Sequence, residues 1–269
     1  MSARLRALGR EAVEIAERGS YSPSSGSGDV LIGERVRRAV DGTRLHLPGD
    51  VLADGVAGTV PVRIEVTGET SLAAARRLGD GVACLNFASA RNPGGGFLKG
   101  AQAQEESLAR SSALYPCLLA AGDFYRFHRG ERSLLYTDRV IYAPQVPVFR
   151  DDRGALIESY PVSFLVSAAP NRAAIAREQP GELELVPAAL ARRADRVLRV
   201  AAAHGHRRLV LGAWGCGVFG NDPEQVAGVF RDALAGNPYF EHVVFAVLDR
   251  GGATRAAFER SFTTGATAG

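Results

Sequence analysis

Apolar positions along this chain recur at two periods, and the switches between them outline its elements. Leu5, Leu8, Ala12 and Ile15 repeat at spacings of three and four, which predicts an amphipathic helix over 3–18. Ser, Gly and Pro fill 19–28 and predict a loop, ahead of a short apolar strand at 30–32. Residues 34–58 read as loops with short strands around 36–40 and 45–47. Together, residues 1–59 are expected to form an accessory helical and loop extension packed on a core of residues 60–269.

In that core, period-two runs alternate with helical ones. Strands are predicted at 62–66, 83–88, 140–143, 162–168, 208–212 and 242–249. Thr70 or Ser71 can cap a helix that Gly79 ends, and Asp222-Pro223 gives a clear start to another through Leu234. Further helices are predicted from Gln104-Glu105-Glu106 through SLARSSALYPCLLA, over 182–204 and over 253–262. Pro144 and Pro147 are expected to end the 140–143 strand, and 170–181 reads as a surface excursion. Strands alternating with helices predict an α/β fold with a parallel or mixed sheet covered by helices on both faces. Ligands of such sheets sit beyond the carboxyl ends of the strands.

Two glycine loops leave such strand ends. The first is Asn92-Pro93-Gly94-Gly95-Gly96, with Asn86 on the strand before it and Gln104-Glu105-Glu106 opening the helix after it. Three glycines in a row give up chain entropy, which a sequence tolerates where a Cβ would clash or where N–H groups converge on a ligand. Glu105 and Glu106 taken alone could simply complement the helix dipole. The second loop, Gly215-Cys216-Gly217-Val218-Phe219-Gly220-Asn221, contains G-x-G-x-x-G and so raises a nicotinamide-dependent oxidoreductase as a rival. Against that rival, the helix start at Asp222-Pro223 lies beyond the last glycine, and the next acid at a strand end, Asp249, comes too late.

Composition changes this picture little. The 269 residues carry a net charge of +3, too mild to announce nucleic-acid binding, and no apolar run is long enough to span a membrane. Cys84, Cys117 and Cys216 make no C-x-x-C pair, which points to reduced thiols and the cytoplasm and against a zinc site. Cys216 has no base nearby in sequence except His204 and His206, which read as a cationic C-terminal helix cap. No metal or cofactor is expected.

Gly-Gly-Gly, seven residues, then Gln-Glu-Glu resembles the signature of poly(ADP-ribose) glycohydrolases, and the preceding Asn92-Pro93 resembles their compact bacterial type. The stretch from Gly212 to Asn221 resembles that family's diphosphate-binding loop, and the likeness runs over roughly 60–260. The resemblance implies a macrodomain-like fold. It also implies hydrolysis of the ribose–ribose O-glycosidic bond with Glu106 as proton donor, and it sets Val218 and Phe219 against the terminal ribose. Glu105 would hold ribose hydroxyls or hold Glu106 in place, and Gln104 would fix the loop. Asn86 and Asn92 suit ribose contacts or plain turns. Adjacent helical residues point ~100° apart, so the two glutamates cannot straddle a sugar as paired glycosidase carboxylates do. The chemistry should then rest on one acid. Expected partners are poly(ADP-ribose) or an ADP-ribosylated protein, with ADP-ribose as product, for a monomer that touches neither membrane nor nucleic acid. A non-catalytic ADP-ribose reader and a hydrolase of mono-ADP-ribosylated side chains remain open alternatives.

Overall fold

The computed structural model describes residues 2–26, 28–58 and 61–263. Helix α1 (Ala3–Arg18) starts at the Ser2 cap and stops at Gly19, whose φ of 73° suits glycine. The small ribbon of β1 (Ser20–Tyr21) and β2 (Val30–Leu31) follows, then α2 (Gly33–Gly42) and β3 (Arg44–His46). The strand expected at 36–40 is helix. Val36 and Ala39 are its buried positions, three apart, and Glu34 pairs with Arg38 one turn on, so the helical period wins.

The core begins with β4 (Arg63–Thr67), α3 (Ser71–Leu78) and β5 (Val82–Phe87). The Thr70 hydroxyl accepts from Ala73 N at 3.1 Å and Gly79 closes the C-terminus, as predicted for α3. The run after Gln104 is not one helix but α4 (Gln104–Ser111), α5 (Leu114–Ala120) and α6 (Gly122–Gly130). Ser112 breaks it. Its backbone is extended and bridges to Val148, its hydroxyl donates to Leu108 O at 2.7 Å, and Leu114 N donates to that hydroxyl at 3.3 Å.

Next come β6 (Val140–Arg150) and β7 (Leu156–Ser167). The two prolines do not end β6. Pro144 sits in a bulge between Ala143 and Val146, where Gln145 takes φ 43° and donates its N–H to Ser163 Oγ at 3.0 Å, and Pro147 lies opposite Pro161. The excursion at 170–181 contains α7 (Arg172–Glu178) and leads through a 3₁₀ turn at 180–185 into α8 (Val186–Ala203). The chain closes with β8 (Arg208–Leu211), α9 (Pro223–Ala235), β9 (His242–Ala246) and α10 (Ala253–Thr263). Asp222 caps α9 by accepting from Gln225 N at 2.9 Å.

Among the described residues, seven strands form one mixed sheet in the order β3-β6-β7-β5-β8-β9-β4. β7, β5, β8, β9 and β4 run parallel, while the β3–β6 and β6–β7 pairs are antiparallel. Alternation along the strands splits the core: Cys84, Phe164 and Val210 pack with α1–α3, α5 and α6 on one face. Ala83, Leu165 and Leu209 pack with α7–α10 on the other. The first 58 residues supply an edge strand of this sheet as well as helices; the expected boundary at 59/60 lies outside the described residues. α1 lies against the 3₁₀ turn at Phe97–Lys99 and against α4, where a Cβ on Gly9 would meet Phe97 O at 3.0 Å.

Candidate active site

Both glycine loops open on the same end of the sheet, since β5 and β8 are parallel neighbours. Between them lies a cavity of about 1430 Å³ bordered by residues 87–92, 102–108 and 213–219, and by Tyr136 and 246–250.

The first loop is built around the two carboxyl groups. Gly94 and Gly95 take φ of 69° and 61°, and Gly95 N donates to Asn92 O at 2.9 Å. Gly96 N donates to Glu106 Oε1 at 2.9 Å, and Ser89 N to Glu105 Oε2 at 2.7 Å. The glutamates therefore bond to loop N–H groups and not to their own helix end, so they are not caps. A Cβ on Gly95 would run into Glu106 Oε1 and come within 3.0 Å of Glu105 Oε2; the two carboxyls converge beneath one residue that must lack a side chain.

The pair is not symmetric. Glu105 is buried, and desolvation pushes its pKa up to about 8 against the Ser89 N–H that favours its charge. At neutral pH it largely keeps its proton. Glu106 is half-exposed on the cavity wall. Gln104 spends its amide inside the protein: Oε1 accepts from Phe87 N at 2.9 Å, and Nε2 donates to Leu85 O at 2.7 Å and Ser71 Oγ at 3.1 Å. It stitches α4 over the end of β5. Asn86 is fully buried behind Glu105, donating to its Oε1 at 3.4 Å. Gly94–Gly96 shape the wall without lining the cavity, whereas Asn92 does line it.

The second loop is held from behind. Asn221, buried, donates its Nδ2 to Pro170 O at 2.9 Å and its N–H to Gly215 O at 3.0 Å; Ala173 N donates to Phe219 O at 2.9 Å. Gly215 takes φ 73°, where a Cβ would strike the Asn221 amide, and Gly220 backs onto Ala173. The N–H groups of Gly217, Val218 and Phe219 donate to no carbonyl among the described residues, which leaves a row of donors fit for a diphosphate. Val218 is exposed, and Phe219 is half-buried with its ring centroid 6.2 Å from that of Tyr136. Trp214 is core, its Nε1 donating to Ser167 O at 3.0 Å.

Other chemistries fall away on geometry. Burial pushes the Cys216 thiol up to about 12, the reverse of what a nucleophile needs. His204 and His206 are not a cationic cap. His204 shares a 2.9 Å Nε2–Nε2 contact with His46 and stacks on Tyr142, and burial followed by the neighbouring charges takes it down to about 4. Asp249, the next acid at a strand end and too late for a dinucleotide site, accepts from Thr254 N at 2.7 Å at the start of α10. Among the described residues no cluster of three His, Cys, Asp or Glu could hold a metal ion, and no helix is long and apolar enough to cross a membrane.

Residues 9–151, just over half of the chain, match the family model for the microbial-type poly(ADP-ribose) glycohydrolase (PARG) catalytic domain. The solved PARG of Thermomonospora curvata is 53% identical, with 97% of this chain and 100% of that one covered and a TM-score of 0.90. The chain belongs to the microbial-type PARG family. The T. curvata PARG bound to the inhibitor ADP-HPD is 53% identical with a TM-score of 0.88 over the same coverage. The Deinococcus radiodurans PARG in complex with ADP-ribose is 46% identical with a TM-score of 0.80, over 85% of this chain and 97% of that one. No curated protein matches. Ser89, Tyr136 and Arg110, all on the cavity wall, are marked by no pattern in the sequence. Tyr136 carries φ 58°, a strained value for a bulky side chain that no sequence pattern announces.

Proposed function

We propose that this chain hydrolyses the ribose–ribose O-glycosidic bonds of poly(ADP-ribose) and releases ADP-ribose, with Glu106 as the single general acid. The observation that carries this reading is the pair of carboxyls gathered under Gly95, facing a free row of loop N–H groups across one cavity. The diphosphate of the terminal unit lies on Gly217–Phe219, and Phe219 presses the terminal ribose toward Glu106. Glu106 gives its proton to the leaving ribose oxygen as the anomeric C–O bond breaks. The oxocarbenium-like centre is steadied by the substrate's own diphosphate, and a water adds to the anomeric carbon and returns a proton to Glu106. Accessibility selects Glu106, because Glu105 is 3% exposed and holds the wall from behind.

Both carboxyls would be dispensable in a reader, which favours the enzyme. On the same reading the protein works as a cytoplasmic monomer on poly(ADP-ribose) or ADP-ribosylated protein, without binding nucleic acid, and needs no metal. Incubation with labelled poly(ADP-ribose) should yield ADP-ribose in the presence of a chelator. Intact polymer, or release only from singly modified side chains, would reject the assignment.

A further inference from the structure

The cavity has a second arm beyond the two glycine loops. From Glu106 it continues along one flank of α4 past Ser107 and Arg110, bordered by Arg4, Leu5 and Leu8 of α1 and by the 151–154 turn between β6 and β7. At about 1430 Å³ the whole space exceeds the ~300–1,000 Å³ of an ordinary small-ligand pocket. Two independent features mark the arm as a site. On the apolar face of α1, Ala12 and Ile15 are core, yet Leu5 and Leu8 are half-buried and border the cavity. Arg110 is 4% exposed and donates to Ala101 O at 2.7 Å and Ser107 Oγ at 3.4 Å, with no ion-pair partner among the described residues. Its hydrogen bonds go only to neutral acceptors, desolvation works against its charge while the nearby Glu106 carboxyl favours it, and a buried guanidinium so placed suits a further anion from outside.

Among the described residues none of the other neighbouring carboxyls forms an ion pair with Arg110. Arg150 is neutralised by Glu11 at 2.8 Å, Asp152 accepts from the Thr70 hydroxyl at 2.9 Å, and Asp151 is taken up by Arg153 N and Ala155 N. Arg4 and Arg153 are exposed on the same rim, Arg4 donating to Arg153 O at 2.8 Å.

We propose that this arm is the leaving-group subsite, which receives the polymer unit whose ribose oxygen departs. Its diphosphate meets Arg110, Arg4 and Arg153, and its nucleoside lies on Leu5 and Leu8. This rests on Glu106 as the acid: the bond broken lies at the first turn of α4, so the chain beyond it must leave there, where the arm begins. The N-terminal helix then belongs to substrate recognition.

The test compares two substrates with the same terminal unit: poly(ADP-ribose), and ADP-ribose joined at the same anomeric carbon to a small uncharged aromatic alcohol. Arg4→Ala/Arg153→Ala changes two exposed residues, and Arg110→Lys keeps the charge while losing the planar fork. The polymer should lose about tenfold in kcat/KM per guanidinium, mainly through KM, with the small glycoside losing several-fold less and the salt dependence of KM shrinking for the polymer alone. Equal losses on both substrates, or none on the polymer, would overturn the subsite. If the parent enzyme cleaves neither substrate, the glycosidase reading itself fails and takes the subsite with it.

Discussion

The two glycine loops leave neighbouring parallel strands and reach one cavity, yet glycine does opposite work in them. In the first loop it makes room inward: a side chain at Gly95 would occupy the space of both carboxyls. In the second it keeps the surface bare: nothing lies within 4 Å of where a Cβ on Gly217 would stand, and the neighbouring N–H groups are unspent. One loop makes room for two carboxyls, the other presents unspent N–H groups. Two stretches that look equally glycine-rich in sequence should therefore respond differently to the same substitution.

Gly95→Ala should be the most damaging change. It combines a φ of 61° with a collision against Glu106 Oε1, and displacing the acid by ~1 Å can cost ~10²-fold in rate. Steady-state kinetics with calorimetric binding of ADP-ribose should show kcat falling by that order while affinity falls far less; normal turnover would mean the loop does not position the acid. Phe219→Ala comes next, with kcat reduced about 10-fold to 10²-fold if the ring orients the terminal ribose. An unchanged kcat would return Phe219 to simple packing.

A thermal scan sharpens the first half of the comparison. The ordinary glutamate value is 4.5, and burial holds Glu105 at about 8. Between those values the folded protein keeps a proton that the unfolded chain has lost, so its contribution to stability is complete below pH ~4.5 and drains away as pH rises through about 8. Glu105→Gln should flatten this slope and melt higher than the parent at pH 8, by about 2–4 °C for each kcal/mol recovered. A variant that melts lower at pH 8 would show Glu105 to be ionised and stabilising. Gly217→Ala should have the smallest effect on kcat, under about threefold, because its φ is not left-handed and no protein atom stands near the added Cβ, with any loss falling on KM where the Cβ meets the diphosphate. A loss comparable with Gly95→Ala would erase the distinction between the loops.

What was legible in the sequence follows from the range of each signal. Caps are local, so Thr70, Gly79 and Asp222 marked their helices within a residue. The two loops and the glutamate pair were legible because the spacing from Gly94 to Glu106 is short and specific. The 36–40 segment misled because its valines, four apart, suit both periods, and the burial of Ala39 with Val36, together with packing against β6, distinguishes the helix. β6 survived its prolines because a bulge and a proline–proline register removed the need for their N–H groups, a matter of pairing with β7. The leaving-group arm was invisible for a stronger reason: Arg4, Arg110 and Arg153 are brought together by α1, α4 and a hairpin turn far apart in the chain. Likewise, the burial that separates Glu105 from Glu106 is tertiary, and two adjacent letters cannot express it.

That separation is the central claim, and paired turnover and binding measurements on Glu106→Gln and Glu105→Gln test it most directly. Glutamine preserves shape and a hydrogen bond but has no transferable proton, and a general acid is worth ~10²–10⁴-fold. Glu106→Gln should lose at least that much kcat on poly(ADP-ribose) while binding ADP-ribose near the parent affinity. Glu105→Gln should keep measurable turnover and weaken both binding and rate. Equal loss of activity in the two variants with affinity intact would contradict the account and mean that the pair shares the proton.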